Sequence, residues 1–242
     1  MGKKYRWWET FKLIRLHILV EGQTEEGFIK NILAPALGVY NVFADAHSIT
    51  TGRRHGRLFR GGLTDYEHLA RDLTLWMKQD QNEDSWFTTM VDFYGLPRNF
   101  PGRDSVPPPA SLFDRIAHLE AEFSNDIATR LVDLPVTQRF IPYIQLHEFE
   151  ALLFSEPAAF VDMFPNKPKA IAQLRAIRAR FASPEDIDDG QMTAPSKRIL
   201  HILPDYQKPV AGLLIAKAIG LEKIRSECPR FHDWFSRLEA LV

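Results

Sequence analysis

Residues 16–26 read Leu-His-Ile-Leu-Val-Glu-Gly-Gln-Thr-Glu-Glu. The mostly apolar residues 16–20 predict a short buried strand. Gly22 permits a tight turn, and Thr24 is suited to cap a helix that follows. Glu25 and Glu26 fall in the first turn of that helix, where the helix dipole favours negative charge. The stretch therefore predicts a strand, a turn and a helix that ends before Pro35.

The same alternation continues along the chain. Apolar runs at 42–49, 86–91 and 140–146 predict further strands, and Pro142 marks the last of them as an edge or irregular strand. Helical periodicity at 65–78 and 111–123 falls between them, which predicts an α/β fold with a mostly parallel, Rossmann-like sheet and helices on both faces. Beyond residue 156 the pattern is helical, so we expect an α/β domain over 1–156 and a helical C-terminal part over 157–242 packed on it.

Composition restricts the possible partners. The chain has 242 residues, with 45% apolar and 25% charged residues, as in ordinary globular proteins. Its 30 basic and 31 acidic residues give a net charge of −1, so a nucleic-acid partner requires a local basic patch. Cys228 is the one cysteine, which excludes an internal disulfide. No targeting or membrane-spanning segment is evident, and these features predict a cytoplasmic protein without a membrane partner.

Acidic residues follow three of the predicted strands: Glu21, Asp92 and the pair Glu148 and Glu150. The carboxyl ends of parallel strands meet at one edge of a sheet, and converging carboxylates need a cation between them. Their oxygen atoms favour Mg²⁺ or Mn²⁺, and Glu25 faces back toward the end of the first strand as a second ligand. A strand is expected to end at 147–148, which favours Glu148 over Glu150. The alternative for each acid is a solvated strand end or helix cap.

Basic residues offer a complementary surface. Residues 52–62 form a predicted glycine-rich loop with four arginines that suit phosphate oxygens, namely Arg53, Arg54, Arg57 and Arg60. A solvated surface loop is the alternative interpretation. Lys208 precedes a predicted helix and can bring a cation to a phosphoryl transition state. No phosphate loop, nucleophile elbow or zinc-protease motif is present.

Several of these segments carry a family resemblance. Residues 20–26, 92–97 and 147–154, followed by 195–198 and 206–208, resemble the bacterial family called domain of unknown function 4276, which is similar to TOPRIM domains. TOPRIM is the Mg²⁺-binding fold of topoisomerases, primases and OLD-type nucleases. The resemblance implies that Glu21 is the TOPRIM glutamate and that Glu25 matches the second acid of the OLD-type first motif. The Asp-x-Asp motif maps to 92–94, where Tyr94 replaces the second aspartate.

The acids at three strand ends beside an arginine-rich loop, together with this resemblance, predict a Mg²⁺- or Mn²⁺-dependent nuclease or related phosphoryl-transfer enzyme acting on DNA or RNA. Glu21, Asp92, Glu148 and Lys208 are then the catalytic residues, and Glu21, Glu25, Asp92 and Glu148 the metal ligands. Tyr94 leaves three alternatives open: Glu148 or Glu150 supplies the missing ligand, one metal binds instead of two, or nucleic-acid binding alone remains. Family members are often encoded beside an ABC- or SMC-like ATPase in settings suggestive of phage defence. A non-catalytic regulatory subunit of such an ATPase is therefore the alternative, and a transfer RNA or nucleotide is a further candidate substrate.

Overall fold

A computed structural model of the chain describes residues 12–54, 57–60, 62–105, 111–132, 134–187 and 193–242. For residues 51–54, 57–60, 136 and 137 it describes the backbone only. The strands are β1 Ile14–Val20, β2 Val42–Ser48, β3 Thr50–Arg54, β4 Arg57–Arg60, β5 Ser85–Asp92, β6 Phe140–Ile141 and β7 Ile144–Gln145.

The main sheet is parallel. Strand β1 pairs with β2 on one side and with β5 on the other, and both β6 and β7 pair with the free side of β5. Val20 is in register with Met90, so β1 and β5 end side by side. The predicted parallel sheet is confirmed, and the residues that follow β1 and β5 are brought to one edge.

Helices cover both faces of this sheet, as predicted. In β1, Ile18 contributes to the core beneath the N-terminal and C-terminal helices, whereas Leu19 contributes to the core beneath the helices Tyr66–Gln79 and Leu112–Arg130. The α-helices are α1 Gln23–Phe28, α2 Ala34–Gly38, α3 Tyr66–Gln79, α4 Leu112–Arg130, α5 Val136–Arg139, α6 Glu150–Leu153, α7 Pro168–Arg178, α8 Pro195–Ile202, α9 Leu213–Ile219, α10 Leu221–Glu227 and α11 Pro229–Glu239. The division at residue 156 stays a prediction. Within the described ranges, no helix is both long and apolar enough to cross a bilayer.

The first helix differs from the prediction at both ends. Gly22 rather than Thr24 occupies the N-cap position of α1, and no side chain caps the helix, so the predicted role of Thr24 is wrong. The helical path also does not end before Pro35, because a π-helical turn at Ile29–Leu33 leads directly into α2. Pro35 lies in the first turn of α2, directly after the π-helical turn, where the helical hydrogen-bond pattern changes.

The last predicted strand is split by Pro142 into β6 and β7, because proline cannot donate to a strand ladder. Two hydroxyl groups of β5 serve the backbone at the break. Thr88 Oγ1 donates to the carbonyl of Ile141 at 2.5 Å. The N–H of Tyr143 donates to Thr89 Oγ1 at 3.0 Å. The irregularity that the proline predicts is thus confirmed and satisfied by side chains.

The arginine-rich segment is a β-hairpin rather than the predicted loop. Strands β3 and β4 pair antiparallel with Arg54 opposite Arg57, and the register shifts between Thr50 and Gly52. The prediction is wrong because the glycines at 52, 56, 61 and 62 are typical of irregular loops, whereas a bulged hairpin also uses glycine. Residues 55, 56 and 61, predicted as part of the loop, lie outside the described residues.

A buried carboxylate holds the last helix in place. Glu185 Oε2 and Oε1 accept the backbone N–H groups of Arg230 at 2.9 Å and Phe231 at 3.0 Å, in the first turn of α11. Burial raises the pKa of Glu185 from 4.5 to about 7, although these hydrogen bonds oppose the rise. The cap is therefore more easily protonated in the folded chain than in the unfolded one.

We expect this group to make stability depend on pH. Because the pKa of Glu185 is higher in the folded state, its contribution is full below pH 4.5 and is lost as pH rises to about 7. The loss amounts to about 3 kcal/mol at most. Urea unfolding at pH 5 and pH 8 measures this effect. In Glu185→Gln the free energy of unfolding should fall less between the two pH values than in the wild type. In the control Glu222→Gln, at an exposed position of α10, it should fall as in the wild type. Identical pH dependence in Glu185→Gln and the wild type would contradict the expectation.

Candidate functional site

Three carboxyl groups from separate segments meet at the carboxyl edge of the sheet. Glu21 follows β1, Asp92 ends the neighbouring strand β5, and Glu25 lies in the first turn of α1. Glu25 is 5% exposed and Asp92 7% exposed. The structure thus brings together the acids that the sequence predicted would converge.

The charges of these carboxyl groups act on one another. Burial raises the pKa of Asp92 well above its ordinary value, and the charges of Glu25 and Glu21 raise it further. Burial also raises the pKa of Glu21, and the charge of Glu25 adds to that effect. Neighbouring carboxylates that raise each other's pKa values bind a cation favourably, because a cation removes their repulsion.

One oxygen of this group has no hydrogen-bond partner among the described residues. Glu21 Oε2 is buried and unpaired, whereas Oε1 accepts the N–H of Leu63 at 3.4 Å. Gly95 gives the carboxylate its space, since a β-carbon built at Gly95 would lie 2.9 Å from Glu21 Oε1. The sequence around Gly95 does not indicate this role, because it depends on the distant Glu21.

A second pair of acids surrounds a lysine. Lys208 Nζ lies 2.7 Å from Glu150 Oε2 and 3.6 Å from Glu148 Oε2. The other oxygen of Glu148 accepts the backbone N–H of Ser196 at 2.8 Å, and the Tyr206 hydroxyl donates to Glu150 Oε1 at 3.3 Å. These contacts hold both carboxylates toward the same ammonium group.

Glu148 and Glu150 both reach Lys208, although the strand before them ends earlier than predicted. Strand β7 ends at Gln145 rather than at 147–148, and His147 follows with φ of 62°. This turn places Glu148 before α6 and Glu150 at its first residue, so the two side chains do not follow a single helical or extended path. A positive φ at a non-glycine residue is uncommon, and the sequence alone did not indicate it.

Lys208 remains charged in this setting. Burial lowers the pKa of its amine, but the charges of Glu150 and Asp92 outweigh that effect, and the pKa lies above its ordinary value. Burial raises the pKa of Glu150 to about 7 despite the lysine. Five carboxyl groups therefore share one ammonium group among the side chains described at this edge.

The donor set suits a hard divalent cation in its chemistry. Carboxylate oxygens are the ligands that Mg²⁺ and Mn²⁺ prefer, and Glu21 Oε2 is a buried oxygen without a partner. Among the described residues, however, no three acids, histidines or cysteines are grouped closely enough to form a ready-made ligand cluster. The residues thus fit a metal by type and charge, and the amine of Lys208 provides part of the compensation when no metal is present.

The arginine hairpin begins beside this site, since the N–H of Ile49 donates to the carbonyl of Val20, next to Glu21, at 2.9 Å. Arg71 Nη2 donates to the carbonyl of Thr50 at 2.9 Å, and Asp72 Oδ2 accepts the N–H of Thr50 at 2.8 Å, which anchors the start of β3 to α3. Shortly after β4 ends, Leu63 contacts Glu21. The backbone therefore places Arg53, Arg54, Arg57 and Arg60 on a hairpin whose two ends lie near the acids.

Comparison with known proteins gives the family. A model of the family "Domain of unknown function (DUF4276)" matches residues 20–239. The chain belongs to this family. The C-terminal region of the Burkholderia pseudomallei OLD protein is similar, with 16% identity and a TM-score of 0.43 over 95% of this chain and 100% of that one. The corresponding region of the Xanthomonas campestris pv. campestris OLD protein has 14% identity and a TM-score of 0.38 over 93% and 97%. No curated protein sequence matches.

Tyr94 of this DUF4276 chain occupies the position where the resemblance implied an acid. Its hydroxyl lies 3.1 Å from His147 Nδ1, and His147 Nε2 lies 2.9 Å from the carbonyl oxygen of Glu185. Because a carbonyl only accepts, Nε2 carries the proton, and the tyrosine hydroxyl donates to Nδ1. Burial lowers the pKa of His147, which keeps the ring neutral. His147 thus links Tyr94 to the segment that caps α11.

Proposed function

We propose that this chain is a divalent-metal-dependent nuclease that cleaves phosphodiester bonds in DNA or RNA. The observation that carries the proposal is the burial of Glu21, Glu25 and Asp92 at one edge of the sheet, where burial raises the pKa of each and Asp92 is raised further by both glutamates. Burying carboxylates without full charge compensation is unfavourable, and a bound cation offsets this unfavourable free energy.

Glu21, Glu25, Asp92 and Glu148 are the residues that would hold Mg²⁺ or Mn²⁺. Glu148 is the better ligand of the second pair, because Glu150 Oε2 is engaged by Lys208 at 2.7 Å and the corresponding distance for Glu148 Oε2 is 3.6 Å. A bound ion activates water and neutralises charge on the scissile phosphate. Tyr94 supplies no carboxylate, which favours one ion over two.

The remaining roles belong to basic side chains. The ammonium group of Lys208, oriented by Glu150, binds a phosphate oxygen and stabilises the negative charge that develops there. The arginines of the hairpin, Arg53, Arg54, Arg57 and Arg60, bind the nucleic-acid backbone, which carries no sequence information. Substrate contacts of this kind suit a protein whose net charge is only −1.

Cleavage assays test this proposal directly. We expect the full chain to cut DNA or RNA with Mg²⁺ or Mn²⁺ and to be inactive in EDTA. Titration calorimetry should show that Glu21→Gln weakens Mn²⁺ binding at least about tenfold. Glu26→Gln is the matched control, because Glu26 pairs with Lys30 at 2.6 Å and accepts from Ser48. Cleavage that persists in EDTA, or unchanged Mn²⁺ affinity in Glu21→Gln, would contradict the proposal.

One observation favours a second candidate. Tyr94 replaces a carboxylate and is held by His147, as expected of a site that binds nucleic acid or a partner without cleaving. The alternative function is a non-catalytic regulatory subunit of an ABC- or SMC-like ATPase complex, with a role in phage defence. Absence of Mg²⁺ and Mn²⁺ binding at millimolar concentration would favour this alternative over the nuclease.

A further inference from the structure

Tyr94 presents an aromatic ring at the rim of the acidic site. The side chain is 41% exposed although its position is fixed at two points. Its backbone N–H donates to the carbonyl of His147 at 3.1 Å, and its hydroxyl donates to Nδ1 of the same residue. Gly95, the next residue, lies against the Glu21 carboxylate. The exposed ring is therefore held by two hydrogen bonds, two residues after Asp92 and next to the glycine that contacts Glu21.

An aromatic and a cationic group continue this surface. The ring of Phe93 lies 5.9 Å from that of Tyr94, with the planes inclined by 43°. The guanidinium carbon of Arg115 lies 5.7 Å from the centre of the Phe93 ring. Arg115 is exposed and belongs to the first turn of α4. An exposed aromatic ring and an exposed guanidinium thus flank the same phenylalanine beside the acids.

These groups match the two parts of a nucleotide. A nucleobase stacks on an aromatic ring, and a guanidinium binds phosphate. The hydroxyl of Tyr94 is already anchored, so little side-chain freedom is lost when a base stacks on it. A base within a duplex is already covered on both faces by its neighbours. The ring of Tyr94 is consequently available to an unpaired base.

We propose that Tyr94 is the stacking platform for an unpaired nucleobase beside the scissile phosphate and that Arg115 binds a neighbouring phosphate. The preferred substrate is then single-stranded nucleic acid or a strand end with unpaired nucleotides. This inference rests on the proposed nuclease function, since the platform adjoins the same acidic site. It assigns to Tyr94 a role in substrate selection rather than in the chemical step.

Fluorescence anisotropy in EDTA tests the inference separately from cleavage. The probes are a labelled single-stranded oligonucleotide and the blunt duplex of the same sequence. We expect the wild type to prefer the single strand and Tyr94→Leu to weaken that binding about tenfold, while Tyr94→Phe retains it. Tyr40→Leu is the control, because Tyr40 has similar exposure but precedes the amino end of β2, at the edge of the sheet away from the acids. This variant should bind like the wild type. Arg115→Gln should lower the slope of log affinity against log salt concentration by about one.

The outcomes separate the two proposals. Equal affinity for the duplex and the single strand, or unchanged binding in a folded Tyr94→Leu protein, overturns the stacking platform even if metal-dependent cleavage is observed. Selective single-strand binding that Tyr94→Leu weakens supports the platform even if the protein never cleaves, in which case the nuclease proposal alone fails. A loss of binding in Tyr94→Phe as large as that in Tyr94→Leu would assign the effect to the hydroxyl and would also overturn stacking.

Discussion

Gly95→Ala should leave the chain folded and reduce metal-dependent cleavage at least about a hundredfold, as expected when a catalytic group is displaced by about 1 Å. The new β-carbon would lie 2.9 Å from Glu21 Oε1 and 3.0 Å from Glu21 Cδ. These distances are too short, and the group that moves is the end of a flexible side chain. We therefore expect a small change in the free energy of unfolding and a large change in the position of the Glu21 carboxylate.

Gly38→Ala is the matched control for this substitution. A β-carbon at Gly38, the last residue of α2, meets no described atom within 4 Å. The measurements are kcat/KM for cleavage, Mn²⁺ affinity by calorimetry and the midpoint of thermal unfolding. If Gly95→Ala retained both Mn²⁺ affinity and cleavage within threefold of the wild type, Glu21 would not be part of the site.

Lys208→Met should lower both stability and activity. Removing one partner of a buried ion pair costs about 3–5 kcal/mol, and because the side chain of Lys208 is 39% exposed we expect about 2 kcal/mol in EDTA at pH 8. The deficit should shrink as pH falls, since burial raises the pKa of Glu150 to about 7 and protonation removes its need for a partner. Loss of a positioned cation should also reduce cleavage about a hundredfold.

Lys167→Met controls for the change of side chain. Lys167 Nζ lies 3.8 Å from Asp205 Oδ2 at the surface, and such pairs contribute less than about 1 kcal/mol. Urea unfolding at pH 8 and pH 5.5, with and without Mg²⁺, separates the two lysines, because Mg²⁺ should restore part of the stability of Lys208→Met. Equal stability of Lys208→Met and the wild type at pH 8 in EDTA would show that Lys208 does not compensate the acids.

Apolar runs and strand–helix alternation predicted the strands and the parallel sheet, because these elements depend on residues close together in the sequence. The apolar run before Glu21 predicted β1, and the strand–helix alternation predicted the parallel sheet, so the convergence of Glu21 and Asp92 followed from topology. Contacts between distant segments were beyond such patterns. The pairing of Lys208 with Glu150 joins residues 58 positions apart, and the segment at 206–208 alone did not indicate it.

Two errors have physical causes in the backbone. The glycines of the arginine segment fit both a loop and a bulged hairpin, and only the pairing of β3 with β4 decides between them. The turn at His147 requires a positive φ that non-glycine residues seldom adopt, and hydrogen bonds to Tyr94 and Glu185 hold it there. Neither the distant tyrosine nor the distant carbonyl could be inferred from the sequence around His147.

The break at Pro142 restricts which residues relatives of this chain can carry at positions 88 and 89. The hydroxyls of Thr88 and Thr89 replace the hydrogen-bonding peptide groups of an unbroken strand. Valine at position 88 would leave the carbonyl of Ile141 without this donor, and valine at position 89 would leave the N–H of Tyr143 without this acceptor. A relative with a continuous final strand has no such requirement and can carry valine there. Threonine at 88 and 89 and proline at 142 should therefore be inherited as a set.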